Sequence, residues 1–143
     1  MKALVYHGTK DVRYGDVPDA ALARDSDAVV RITSTAICGS DLHLWHAPVF
    51  PGEEPGFVVG HEFMGIVEDV GAAVRNLKQG DRVLVACTTG CGACTACRRG
   101  LYGASPVTTS GGTAQNVFGF SHGLPGGQAE AARVPFADTN LFR

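Results

Sequence analysis

Cys38-Gly39-Ser40-Asp41-Leu42-His43 and Gly60-His61-Glu62-Phe63-Met64-Gly65 place a thiol, an imidazole and a carboxylate in two short segments, with Gly60 standing 22 residues after Cys38. Zinc accepts thiolate sulfur, imidazole nitrogen and carboxylate oxygen, and a catalytic zinc is held by about three protein ligands with one position left for water or substrate. Cys38, His61 and Glu62 supply one ligand of each kind. Each residue also has a bland reading: a lone Cys packs as a small apolar side chain, and an isolated His-Glu pair sits as readily on a surface. What points to metal is the joint occurrence, with glycine on both sides of His61-Glu62, a β-type run after it, and Cys-Gly-Ser-Asp upstream. A second set, Cys91-Gly92-Ala93-Cys94-Thr95-Ala96-Cys97, spaces three thiols two residues apart. Five cysteines is an odd count, and these three are too close together for the disulfide framework of a secreted domain. In a reducing compartment such spacing more often means metal.

The elements that must position these residues are short. The 143 residues, 45% of them hydrophobic, are the size of one domain and can bury a core of their own. Nineteen Gly and seven Pro leave few windows for a stable helix, so the chain reads as β-rich. Strands are predicted at 1–7, 12–16, 28–36, 65–70, 82–85 and 129–134, with a turn at 79–81. In 28–36, Val30, Ile32, Ser34 and Ala36 share one face against Arg31, Thr33 and Thr35, the period-two pattern of a half-buried strand. A short helical turn is expected over 40–45, then a Pro- and Gly-rich loop over 48–56 with no core signal. Twelve Lys and Arg against 14 Asp and Glu give a formal charge of −2 without a basic run, which argues against nucleic acid as a partner. The N-terminus lacks the apolar stretch of a signal peptide, and no segment reaches the roughly 18 apolar residues of a membrane span. A cytoplasmic protein with no membrane partner is the expectation.

The run Gly60-His61-Glu62-Phe63-Met64-Gly65-Ile66-Val67-Glu68-Asp69-Val70-Gly71 completes the pattern G-H-E-x-x-G-x-V-x-x-V-G, and Cys38 to His43 completes C-G-[ST]-D-x-H. In both, the chain resembles the zinc-containing medium-chain alcohol dehydrogenases, with a flavour close to their formaldehyde dehydrogenase branch. The resemblance implies a GroES-like catalytic domain, mainly β with short helices, built as a partly open β-barrel. It implies a catalytic zinc on Cys38, His61 and Glu62, and a proton relay with Ser40 as inner and His43 as outer member. Ser40 could equally cap the helical turn that begins there, and His43 taken alone would read as a surface histidine. Asp41 matches the residue that hydrogen-bonds the ligating His61, as a support and not a ligand. Trp45, His46, Phe50 and Cys87 are candidates to line a substrate pocket, with a core or surface reading equally open for each. His122, in Gly119-Phe120-Ser121-His122, falls roughly where the formaldehyde branch has a similar Gly-His pair. Cys91, Cys94 and Cys97 resemble the structural-zinc lobe of the same family, which a fourth Cys completes eight residues on. Here that position is Ser105. A neutral hydroxyl is a poor substitute for thiolate, which leaves weak binding, recruitment of water or another group such as Cys87, and an empty lobe all open.

Family members carry a Rossmann domain, marked by G-x-G-x-x-G between a strand and a helix. Gly111-Gly112 and Gly126-Gly127 lack that spacing, so no nicotinamide-binding residues are expected in this chain, and residues 1–143 read as a catalytic domain without its cofactor domain. The resemblance implies Zn-assisted hydride transfer from a small alcohol, or formaldehyde hydrate, to NAD or NADP in a full-length, homo-oligomeric enzyme. The isolated chain is expected to be inactive. The alternative is a stand-alone zinc-binding GroES-like module without redox activity.

Overall fold

The β-branched run Ala28-Val29-Val30-Arg31-Ile32 fits a pleated, half-buried surface, and it forms the centre of the larger of two sheets. A computed structural model describes residues 1–47, 54–109, 116–120 and 122–143. The expected loop over 48–56 is described only from residue 54, and Phe50 lies outside the described residues. The first sheet has the order β2-β1-β4, from β1 (Lys2–Gly8), β2 (Asp11–Asp16) and β4 (Phe57–Val58). The second has the order β7-β3-β5-β6-β8, from β3 (Ala28–Thr35), β5 (Phe63–Val70), β6 (Arg82–Val85), β7 (Ala131–Val134) and β8 (Leu141–Phe142). All named pairings are antiparallel.

A bridge between Ala3 and Ala129, with Leu4 N–H bonded to the Gln128 carbonyl and Glu130 N–H to that of Lys2, stitches the two sheets together. The result is an open arrangement of sheets and not a closed barrel. Short helices complete it: α1 (Gly39–His46), α2 (Thr95–Arg98), α3 (Ala137–Asn140) and a 3-10 turn at Tyr102–Ala104. Of these, only α1 was legible as helix. The pairs and single turns at β4, α2, α3 and β8 are too short to show a period.

The alternation expected along β3 fails at its far end. Ala28, Val29 and Val30 are all buried, while Ser34, Thr35 and Ala36 are exposed. The cause is a register shift against β5 between Ile32 and Ser34, a bulge that turns the strand out of the core. That turn carries the chain toward Cys38.

Two apolar clusters hold these elements. One gathers Val30, Phe63, Val67, Val83, Phe118 and Val134 between the faces of the larger sheet and the loops that cover it. The smaller joins Tyr6, Phe57, Val59 and Phe120 to Leu44, the buried residue of α1. Leu44 therefore pins the helix carrying Ser40, Asp41 and His43 against the segment that leads into His61. Among the described residues no helix is long and apolar enough to cross a membrane.

Candidate metal centre

Cys38 sits where β3 gives way to α1, and its own backbone explains the helix start. It is the N-cap: its sulfur accepts from Ser40 N–H at 3.4 Å, and its N–H donates to Asp41 Oδ2 at 2.8 Å. This closes a capping box. The cap is thus Cys38 and not Ser40, whose hydroxyl is left exposed on the first turn.

The His61 corner is tied to the same place by three bonds. Ala36 N–H and Thr35 Oγ1 both donate to the Glu62 carbonyl, at 3.0 and 3.1 Å, and Gln128 Nε2 donates to the Ala36 carbonyl at 3.3 Å. Across this corner Cys38 Sγ and His61 Nε2 stand 2.9 Å apart, and one ligand atom each of Cys38, His61 and Glu62 lies within 4.8 Å of the others. His61 is buried beneath Phe120, ring centroids 5.3 Å apart, whereas Glu62 is exposed.

These three residues fit zinc on two counts. They mix sulfur, nitrogen and oxygen donors, one ligand atom of each within 4.8 Å of the others, close enough to converge on one tetrahedral zinc, whose ligand atoms stand roughly 3.6 Å apart. In addition, His61 Nδ1 and Asp41 Oδ1 are buried, stand 3.5 Å apart and complete no hydrogen bond. An orphaned buried pair costs about 1–3 kcal/mol. A metal on Nε2 would leave Nδ1 as the protonated nitrogen, which then donates to Asp41, and such carboxylates fix ring orientation and raise ligand basicity. Asp41→Asn should keep the capping oxygen but remove that charge, lowering zinc affinity about 10- to 100-fold in a chelator competition. Unchanged affinity would show that Asp41 serves the helix alone.

A cleft of about 440 Å³ opens beside His61 and Glu62, lined also by Thr35, Met64, Leu84 and Cys87. Trp45 is not among its lining residues; it lies on the exposed side of α1, its carbonyl accepting from Lys10 N–H at 2.7 Å. His43 and His46 are exposed on the same helix. His122 Nε2 donates to the Pro55 carbonyl, 3.1 Å away, and the ring packs edge-on against Phe57, in a different cavity of about 470 Å³.

The second cysteine set forms its own lobe, in which the ligand atoms of Cys91, Cys94 and Cys97 lie within 4.8 Å of one another. Backbone amides point at the sulfurs, Cys94 N–H to Cys91 at 3.4 Å and Cys97 N–H to Cys94 at 3.5 Å. The Cys91 thiol is lowered to about 6, by the Ala93 amide first and the Ser105 hydroxyl after it. Cys94 is lowered by the Cys97 amide and then by Ser105. Stabilised thiolates are what a metal requires.

Sequence reading passed over two residues that hold these sites in place. Gln128, 8% exposed, bonds to both ligand segments, its N–H to the Val59 carbonyl and its amide to Ala36. Asn140, 1% exposed, accepts from Gly90 N–H and donates to the Gly90 carbonyl, fastening the root of the cysteine lobe to α3. A lone Asn or Gln in a β-rich chain carries no periodic signal, so neither was legible. Gly126-Gly127, noted in the sequence only for failing as a cofactor fingerprint, proves to be where the chain packs directly on Val59 and Phe63.

Known proteins share this fold. The family profile described as the alcohol dehydrogenase GroES-like domain matches residues 24–141. An uncharacterized zinc-type alcohol dehydrogenase-like protein, AdhB of Bacillus subtilis, is 45% identical over 146 residues, covering 100% of this chain and 38% of that protein. A glutathione-independent formaldehyde dehydrogenase of Pseudomonas aeruginosa is 33% identical over 150 residues, covering 99% of this chain and 37% of that protein. Among solved structures, alcohol dehydrogenase TADH from Thermus sp. ATN1 superposes with a TM-score of 0.87 at 39% identity, over 99% of this chain and 39% of that one. The chain therefore spans less than two fifths of the length of these relatives.

Proposed function

This chain belongs to the alcohol dehydrogenase GroES-like domain family, and from that premise we propose that it is the catalytic domain of a zinc-dependent alcohol dehydrogenase. The full-length enzyme would move a hydride from a small alcohol or formaldehyde hydrate to NAD or NADP held by a cofactor domain outside these residues. The observation that carries this reading is the convergence of Cys38, His61 and Glu62 at one corner, beside an open cleft and an orphaned Asp41–His61 pair.

Cys38, His61 and Glu62 would hold the ion, with Asp41 keeping His61 in the tautomer that presents Nε2. Bound zinc supplies Lewis acidity toward an alcohol or carbonyl oxygen. Ser40 Oγ would accept the proton released by the substrate hydroxyl, and His43 would carry it to solvent. In support, both residues are exposed on α1, three positions apart and so on one helix face. Met64, Leu84 and Cys87 would form the wall of the substrate cleft. Leu84 and Phe142, cross-strand neighbours that are 56% and 55% exposed, offer an apolar surface at its edge where a second domain would dock.

A graft tests this. Residues 1–143 replacing the matching part of the Bacillus subtilis relative should give nicotinamide-dependent oxidation of small alcohols or formaldehyde, with Ser40→Ala lowering turnover about 100-fold. The 143-residue chain alone should reduce no nicotinamide. A graft that folds, carries zinc and turns nothing over would leave the chain as a zinc-binding module without redox activity.

A further inference from the structure

Cys38 and His61 are not held alike. The segment that leads into His61 is fixed by backbone: Gly126 N–H donates to the Val58 carbonyl at 2.8 Å, Gln128 N–H to that of Val59 at 3.0 Å, and Gly127 N–H to that of Gly60 at 2.9 Å. Gly119 and Gly126 press on it so closely that a Cβ on either would clash with the Val59–Gly60 backbone. Cys38 has no such footing. After its bulge β3 has turned out of the core, and residues 33–37 are exposed.

Outside the strand ladder, three bonds tie that exposed stretch to the corner. Two of them, from Thr35 Oγ1 and Ala36 N–H, share one acceptor, the carbonyl of the exposed Glu62, and so move with it. The third comes from the buried side, where Gln128 Nε2 donates to the Ala36 carbonyl, two residues before Cys38. Gln128 is a firm anchor because its backbone is committed twice, its N–H to Val59 and its carbonyl to Leu4 N–H at 2.8 Å. Its aliphatic stem lies against Gly60, which has no side chain to displace it.

We propose that Gln128 is a positioning residue of the metal centre, its side-chain amide setting where Cys38 stands relative to a His61 that the backbone already fixes. The inference rests on the zinc reading of Cys38, His61 and Glu62, and adds a residue outside that ligand set. A ligand held in place before the ion arrives loses less freedom on binding. Outer partners of this kind change metal affinity about 10- to 100-fold. Without the amide, Cys38 would remain a ligand, but its segment would have to be ordered by the ion itself.

Gln128→Met tests this, since it keeps the stem against Gly60 and both backbone bonds and removes the amide. The full 143-residue chain, reduced, takes cobalt as probe, with and without Cys38→Ser, where serine keeps the helix cap. The difference within each pair of spectra is the charge-transfer absorption of the Cys38 thiolate, and the cysteine lobe, common to both members, cancels. In Gln128→Met this difference band should shift or weaken, and the cobalt behind it should be lost to a chelator at least 10-fold more readily, while the urea midpoint stays near that of the parent. Gln128→Glu, whose carboxylate has no proton to give the Ala36 carbonyl, should lose at least as much. A Gln128→Met chain with the parent's band and affinity would overturn the proposal, and so would an affinity loss that merely follows a lowered urea midpoint. No Cys38-dependent band in the parent would instead remove the metal centre itself, and this role with it.

Discussion

His61→Ala should leave the reduced chain with about one zinc fewer than wild type by elemental analysis of the two proteins prepared side by side. His61 contributes the most buried donor of its site, 7% exposed, and its ring is clamped between Phe120 and Asp41. Structural zinc binding of roughly 10–16 kcal/mol shared over four ligands amounts to about 2.5–4 kcal/mol each, so loss of one lowers affinity on the order of 100- to 1000-fold. The difference between variant and wild type isolates this site from the cysteine lobe, whose ligands the substitution does not touch. His122→Ala is the control: it removes the contact with the Pro55 carbonyl and the edge-on packing against Phe57, touches none of the three ligands, and should leave zinc content unchanged. Full zinc in His61→Ala would mean that Cys38, His61 and Glu62 do not form a metal centre.

Gly60→Ala should lower stability to urea by about 2–5 kcal/mol and weaken zinc binding along with it. Gly60 has φ +99°, where an L side chain is strained, and an added Cβ would lie 2.5 Å from Gln128 Cγ and 2.8 Å from the Gln128 backbone nitrogen. The first contact could be relieved by a rotamer change. The second could not, because that nitrogen is bonded to the Val59 carbonyl at 3.0 Å. Left-handed strain of about 1–2 kcal/mol adds to an overpacking cost of about 1–3 kcal/mol. Since Gln128 also bonds to Ala36 beside Cys38, any shift that accommodates the methyl moves the two ligand segments apart. A variant as stable as wild type, binding zinc equally well, would show that the corner is softer than its bonds suggest.

Much of the site was legible because its chemistry is local. The ligand types, the glycine before His61 and the acidic residue at the third position of α1 are facts of short segments, and the family resemblance rests on them. The strands at β1, β2, β5 and β6 were legible too, within a residue or two at their ends, because alternation or apolar runs survive without tertiary context. Where reading failed, long-range contacts had overridden local pattern. Ser34 and Ala36 were assigned to a buried face that the bulge against β5 removes. For Trp45 a pocket and a surface reading were equally open in the sequence; with Leu44 buried in the smaller core, Trp45 lies on the exposed side of α1 and is not among the residues lining the cleft beside His61.

The sequence by itself determined the donors: one thiol, one imidazole and one carboxylate in two motifs, three further thiols at regular spacing, and a serine where a fourth thiol would stand. Only the tertiary structure decided which of them meet. It separated Cys87 from the lobe, drew Ser105 into it, and joined Cys38 to His61 through Ala36, Glu62 and Gln128. The physical reason is that donor chemistry belongs to single side chains, whereas convergence requires backbone groups far apart in sequence to satisfy one another's hydrogen bonds, and no local window of residues records that pairing.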